Sequence, residues 1–250
     1  MNVFVVPAYN EALNVPRLLA DLSTRPWLLR DGGRLLLVDD GSTDGTAEVA
    51  EACGGGLPLE VLRQIPNQGA GRAFDRGFRR ALQLAGPDDR IVTLEADTTS
   101  DLDALEEMLE AAEHADLVLA SVHAGGQMAG VGRHRRFLSS SAARVIRASA
   151  GVDARTVSSF FRVYGAEILR KGYARHGERL IQEPGFACKA ELLMKLTRVG
   201  ARVVEVPVTL DASRRVGESK LRVLPTVAGY ARLTVRQVAL RARADARADA

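Results

Sequence analysis

Two pairs of carboxylates stand where an α/β protein could use them. The first, Asp39-Asp40, closes the apolar run Leu35–Val38 and is followed by Gly41-Ser42. Such a run reads as a buried parallel strand, and ligands of open α/β sheets bind outside the carboxyl ends of these strands. Unpaired buried charge is costly, so two adjacent acids at a strand end point to a polar ligand, a base N–H or a ribose hydroxyl. The second pair is Glu95 and Asp97, separated by Ala96 at the end of the run Arg90–Leu94. Residues two apart on an extended chain share a face, and two such acids offer the hard oxygens that hold Mg²⁺ or Mn²⁺ on a diphosphate. The cation would neutralise charge on a departing nucleoside diphosphate.

Three further segments carry groups for phosphates and bases. Pro7-Ala8-Tyr9-Asn10-Glu11 opens a helix N-terminus, and Tyr9 can stack on a base. In Asn67–Ala73, Gly69 and Gly71 allow close backbone approach, and Arg72 can reach a phosphate. This segment lacks the G-x-G-x-x-G register and its acids lie upstream, which argues against a dehydrogenase. Arg214, Arg215, Ser219 and Lys220, in the Gly-containing run Arg214–Lys220, suit a phosphate.

The elements that must position these groups alternate along the first half. Strands are predicted over Val3–Val6, Arg34–Val38, Leu59–Leu62, Arg90–Leu94 and Asp116–Ala120. Helices are predicted over Glu11–Leu22, Thr43–Cys53, Ala70–Leu84 and Leu102–Glu113. Asn10, Ser42 or Thr43, and Ser100 are the expected helix caps. In the second half, Ser121–Gly132 reads as a Gly-rich loop, Arg133–Ala150 as a basic helix and Val157–Val163 as strand. Glu183–Val199 reads as a helix, with Pro184 in its first turn. Arg202–Val206 reads as strand, Leu210–Lys220 as a polar loop, and Leu221–Arg241 as a second basic helix before a low-complexity RADARADA tail. Residues 1–220 are expected to form one α/β domain, and 221–250 the C-terminal helix and tail.

At 250 residues, with 46% hydrophobic and 26% charged residues, the chain can bury a sizeable core. Its net charge of +3 hides local excess: Arg133–Arg147 holds five Arg and no acid, and Arg214–Arg241 seven Lys or Arg and one Glu. Such patches suit phosphates or anionic lipid, or are solvated helix faces. Few interleaved aromatics and no known binding motif argue against nucleic acid. Cys53 and Cys188 form no disulfide or zinc pattern, and His114, His123, His134 and His176 show no metal-ligand spacing. The chain starts at once with strand residues, and no window approaches a membrane span, so a cytoplasmic protein with peripheral membrane contact is expected.

Taken in order, PAYNE, VDDGSTDGT, NQGAGRA, EAD and RRVGESK resemble glycosyltransferase family 2, the inverting enzymes with a GT-A fold. Within it the chain is most similar to polyprenyl-phosphate sugar synthases of the dolichyl-phosphate mannose synthase type. Ser158–Tyr164, Gly185-Phe186, Ala190–Leu193 and Glu205–Val208 extend the likeness, which spans about Val3 to Leu224. The resemblance implies a mostly parallel sheet flanked by helices and a basic amphipathic C-terminal helix. It assigns Pro7, Ala8, Tyr9, Glu11, Asp39, Asp40, Gly69, Arg72, Glu95, Ala96 and Asp97 to the nucleotide-sugar, with Asp97 and Glu95 on Mg²⁺ or Mn²⁺. It places Arg135, Arg214, Ser219 and Lys220 at the acceptor phosphate, and makes Asp97, Arg214 and Lys220 the catalytic set. Five positions depart from the family pattern: Glu95 replaces an Asp, Thr99 a Gln and Val122 an Arg, and Phe160 and Thr156 stand where Gly and Asp are usual.

The implied reaction moves a sugar from a nucleotide-sugar, of GDP-mannose or UDP-glucose type, to a polyprenyl or dolichyl phosphate. An acceptor phosphate is already ionised at neutral pH, so positioning and electrostatics suffice. Two alternatives stand beside it. A hydroxyl acceptor would need a general base, for which Glu183 is the best-placed residue. A nucleotide-sugar binder without turnover would share the same motifs. For the C-terminal helix, a membrane surface and packing on its own domain or on a second copy are equal readings, which leaves a homo-oligomer open.

Overall fold

The computed structural model describes residues 1–129, 154–217 and 223–248. Seven strands form one twisted sheet in the order β3-β2-β1-β4-β7-β5-β8. They are β1 (Asn2–Ala8), β2 (Arg34–Asp39), β3 (Leu59–Arg63), β4 (Arg90–Thr93), β5 (Leu117–Ser121), β7 (Arg162–Gly165) and β8 (Val203–Pro207). Four of the six neighbouring pairs are parallel, as the alternation of strands and helices implies, but β7 runs antiparallel to both β4 and β5. A second, two-stranded parallel sheet pairs β6 (Gln127–Ala129) with β9 (Thr209–Asp211). Strand β6 lies in a segment expected to be a loop, and β9 overlaps the start of another.

Alternation along β1 builds the two halves of the core. Val3 and Val5 face one side with Leu36 and Val38, packed by α3 (Ala70–Leu84), α5 (Ala166–His176) and α6 (Cys188–Arg198). Phe4 and Val6 face the other with Leu35 and Leu37, packed by α1 (Val15–Ser23) and α4 (Leu105–Ala111). Both faces of the sheet are therefore covered, which is why its strands read as continuous apolar runs. Helix α2 (Thr46–Cys53) packs beside α1.

The structure corrects several expected boundaries. Helix α1 starts at Val15 rather than Glu11, α2 at Thr46 rather than Thr43, and α6 at Cys188 rather than Glu183. The predicted helix from Leu102 begins as a 3₁₀ turn. The strand expected over Val157–Val163 is displaced to Arg162–Gly165, because Ser159 turns the chain by accepting from the Phe161 N–H at 3.0 Å. Helix α5 was not expected, although Ile168, Leu169 and Gly172 share its buried face and Gly177, at φ 56°, ends it. The predicted basic helix Arg133–Ala150 lies outside the described residues.

The last helix, α7 (Val223–Ala248), has two distinct sides. Leu233 is buried in the core, Tyr230 packs beside it, and a Cβ on Gly229 would sit 2.7 Å from the Ala187 Cβ. Burial raises the Tyr230 phenol to about 12. Leu224, Val227 and Val235 instead stand 82%, 47% and 68% exposed. The helix thus packs on its own domain and still presents an outward apolar row.

Candidate active site

The carboxyl ends of β2, β1 and β4 lie side by side, since the three strands are parallel neighbours. This edge gathers Pro7, Ala8 and Tyr9 from β1 and its loop, Asp39 and Asp40 from β2, and Glu95, Ala96 and Asp97 after β4. Ala8 pairs with Asp39 in register, and the Asp40 N–H donates to the Ala8 carbonyl at 2.9 Å. Tyr9 is 38% exposed at the rim, an open aromatic face.

The side chains expected to cap helices do something else here. Ser42 donates through both N–H and hydroxyl to Asp39 Oδ1. The Ser100 hydroxyl donates to Glu95 Oε2 at 2.9 Å. Asn10, at φ 54°, accepts from the Thr43 N–H through Oδ1 at 2.8 Å and so joins two loops of the site. Gly45, in a left-handed conformation, stands at the N-cap position of α2, and Asp101 caps the turn before α4. Each of these residues orients a carboxylate or a loop of the site.

Asp40 is committed to the protein. Its Oδ1 accepts from Gln64 Nε2 at 2.6 Å and from the Gln68 N–H at 2.8 Å, and its Oδ2 from the Gly69 N–H at 2.8 Å. Burial outweighs these bonds and raises its carboxyl above the usual 3.8. Asp40 therefore clamps the loop before α3. The close approach that Gly69 and Gly71 permit is likewise internal. A Cβ at Gly69 would collide with the Pro184 carbonyl oxygen, and one at Gly71 with that of Glu183. The Gly71 N–H donates to Pro184 O at 2.8 Å. The close approach expected of these small residues is present, and it is made by the Glu183-Pro184 backbone. Arg72 is exposed on the first turn of α3.

Asp97 is 7% exposed. Thr99 donates to its Oδ1 through N–H at 3.1 Å and hydroxyl at 2.7 Å, while Arg215 donates to its Oδ2. Arg214, the guanidinium expected at the phosphates, turns away and pairs with Asp21 of α1 at 2.6 Å. Arg214 ends a 3₁₀ turn, Ala212–Arg214, and Arg215 begins the extended chain after it, so the two side chains leave the backbone in different directions. The structure chooses Arg215. Ser219, Lys220 and Arg135 lie outside the described residues.

The segment bearing Arg215 is stitched to the site from both sides. The Arg214 carbonyl accepts from Arg17 Nη1 at 3.0 Å and from the Thr98 hydroxyl at 3.0 Å. Asn14 holds the Val216 backbone and donates to Glu11 Oε2 at 2.7 Å. Asn14 and Thr98 were not singled out from sequence, because their partners lie 202 and 116 positions away.

Glu183 is 2% exposed, and Arg232 and Arg236 of α7 both pair with it, at 2.7 and 3.5 Å. It anchors the C-terminal helix and is not poised as a free base. Beside Glu95 a cleft is lined in part by Thr99, Val122, Thr156, Ser158 and Phe161. Four of the positions that depart from the family pattern, Glu95, Thr99, Val122 and Thr156, thus meet in one place. Ser121 and Thr156 bridge their hydroxyls at 2.6 Å behind it.

Residues 3–173 match the model of "Glycosyl transferase family 2", well over half of the 250 residues. The chain belongs to this family. It is 31% identical over 222 residues to the undecaprenyl-phosphate mannosyltransferase of Micrococcus luteus, covering 87% of this chain and 86% of that protein. It is 28% identical to the polyprenol monophosphomannose synthase of Mycolicibacterium smegmatis, covering 87% and 79%. Among solved structures, mannosyl-3-phosphoglycerate synthase of Rubrobacter xylanophilus superposes with a TM-score of 0.66 at 19% identity, covering 99% of this chain and 75% of that one. Glucosyl-3-phosphoglycerate synthase of Mycobacterium tuberculosis, solved with Mn²⁺ and UDP, gives 0.63 at 21% identity, covering 96% and 79%. The fold is the GT-A fold of this glycosyltransferase family, as expected, and the protein is a glycosyltransferase.

Proposed function

We propose that this glycosyltransferase moves a hexose from a nucleotide-sugar to a polyprenyl phosphate with inversion at the anomeric carbon. The observation that carries the reading is the pairing of Asp97 with Arg215: an acid suited to a cation beside a guanidinium suited to a phosphate, at the carboxyl edge of the sheet. The likeness to polyprenyl-phosphate mannosyltransferases over 87% of the chain supports the acceptor class and favours mannose in the donor. The commitment of Glu183 to two arginines weakens the hydroxyl-acceptor alternative, which needs a base.

In this reading Pro7, Ala8, Tyr9, Glu11 and Asp39 form the nucleotide edge, Tyr9 stacking on the base. Asp40, Gln64 and Gly69 hold that edge in shape, and Arg72 stands at its rim. Asp97 and Glu95 fit Mg²⁺ or Mn²⁺: both are hard oxygen donors, and Asp97 already accepts a positive group. Mg²⁺ is commonly held by one or two carboxylates plus substrate phosphates, so this small donor set suffices. When bound, the cation supplies charge neutralisation on the leaving diphosphate. A phosphate oxygen of the acceptor bonds to the anomeric carbon as the bond from that carbon to the diphosphate breaks, and its electron pair leaves with the nucleoside diphosphate. Arg215 orients the phosphates, and the family resemblance assigns Arg135, Ser219 and Lys220 to the acceptor phosphate.

No helix among the described residues is long and apolar enough to cross a membrane. The outward row Leu224, Val227 and Val235 suits the headgroup boundary on the cytoplasmic face, where the lipid acceptor would be met. The test is transfer by purified protein from labelled GDP-mannose, UDP-glucose and UDP-GlcNAc to a short polyprenyl phosphate, with Mg²⁺, Mn²⁺ or EDTA. Label entering the organic phase only with metal supports the reading and names the donor. Label entering 3-phosphoglycerate or another hydroxyl acceptor, with none in lipid, overturns it.

A further inference from the structure

Asp97 gives one carboxylate oxygen to Thr99 and the other to Arg215. With the side chains of Asp97 and Arg215 only 10% and 18% exposed, the pair is shielded from solvent. A cation arriving at Asp97 therefore meets an oxygen already neutralised by a permanent positive charge. The backbone on either side of Arg215 is fixed, by Arg17 and Thr98 on the Arg214 carbonyl and by Asn14 on both polar groups of Val216. Arg214 itself is tied to Asp21. The Arg215 side chain can move without breaking these ties.

We propose that Arg215 is a positioning residue that competes with the divalent cation for Asp97. In this inference, which rests on the proposed cation role of Asp97, Arg215 and the cation are alternative partners of the same oxygen. Loading the cation and the donor diphosphate moves the guanidinium from the carboxylate to the phosphate oxygens, a swing of one side chain under a stationary strap. A planar guanidinium binds carboxylate and phosphate by the same fork of N–H donors, so the exchange keeps its hydrogen bonds. The device couples the two events: the cation binds weakly by itself and tightly once a diphosphate gives Arg215 a new partner. Thermodynamic reciprocity then requires that the cation tighten the nucleotide by the same factor.

The experiment is a titration of the full chain with Mn²⁺, free ion being read by its electron paramagnetic resonance signal, alone and with excess GDP or UDP. Arg215→Gln is expected to tighten Mn²⁺ alone by about tenfold, as loss of a shielded competing charge implies, and to shrink the nucleotide-induced tightening. Arg214→Gln removes an equal charge one residue away, from a pair with Asp21, and is expected to change the affinity less than about threefold by long-range charge alone. Arg215→Lys, which keeps the charge without the fork, should fall between wild type and Arg215→Gln and serves if the Gln variant does not fold. Equal shifts in Arg214→Gln and Arg215→Gln, or none in any Arg215 variant, overturn the competition. Unchanged Mn²⁺ binding in Asp97→Asn would instead remove the cation role of Asp97 itself, a separate failure.

Discussion

Asn14 grips the backbone of Val216 with both ends of its amide: Nδ2 donates to the carbonyl at 2.9 Å, and Oδ1 accepts the Val216 N–H at 2.8 Å. The same Nδ2 donates to Glu11, which fixes the orientation of the amide. A residue just ahead of the first helix thus sets the height of the Arg215 strap. Asn14→Ala removes both bonds at a site 2% exposed. It should cost about 1–3 kcal/mol in urea denaturation and lower kcat/KM by about 10²-fold through misplacement of Arg215. An unchanged kcat/KM with the same loss of stability would separate the latch from catalysis.

Asp97→Asn keeps the shape and the bonds from Thr99 but removes the charge that a cation needs. The expected result is a fall in kcat of about 10²- to 10³-fold and loss of the response to Mn²⁺, with EDTA having little further effect. Steady-state transfer assays across a metal series check this.

Gly71→Ala tests the reinterpretation of the glycine-rich turn. Alanine favours a helix over glycine by about 1 kcal/mol, so propensity alone predicts stabilisation. The added Cβ would collide with the Glu183 carbonyl, a backbone atom with no flexible side chain to yield. Overpacking at about 1–3 kcal/mol should win, giving a net loss in the urea midpoint. A gain in stability would return the turn to its simpler reading as open space for a ligand.

Glu183→Ala should loosen α7. It leaves Arg232 and Arg236 without their shared carboxylate, while Leu233 and Tyr230 still hold the helix by apolar contact. Limited proteolysis is expected to cut within residues 223–248 faster in the variant than in wild type. Equal rates would show that apolar packing alone secures the helix.

Asp44 gives a pH dependence with a definite sign. Burial opposes its charge, but the bonds from Thr46 and from the Ala12 N–H outweigh it and hold the carboxyl below its ordinary 3.8. A lowered folded-state value means stability present above pH 3.8 and lost as pH falls through the folded value. Urea midpoints taken between pH 6 and pH 3 should fall less steeply for Asp44→Asn than for wild type. Parallel curves would remove Asp44 from the acid response.

Much of the architecture was legible because it is local. Strands β1 and β2 carry the apolar runs Val3–Val6 and Leu35–Val38, and α3 carries its boundaries, Ala70 and Leu84, in its own pattern. Strand β7 was misplaced because its partners, β4 and β5, are remote, and only pairing with them decides where an apolar stretch becomes strand. Capping differs for another reason: Ser42 and Ser100 have the chemistry of caps but bond carboxylates three and five positions before them, and Asn10 accepts from Thr43 across 33 positions.

The same division runs through the site. Sequence by itself determined the family, the acids at the strand ends and their order along the chain, because strand termini and short spacing are properties of consecutive residues. Tertiary structure alone decided which partner each of these groups takes within the protein. It gave Asp40 to a loop clamp, Arg214 to Asp21 and Glu183 to α7, and it brought Arg215 to Asp97 across 118 positions. A side chain's type states what it can bind. Which partner it binds depends on distances between segments remote in sequence, and those exist only once the chain has folded.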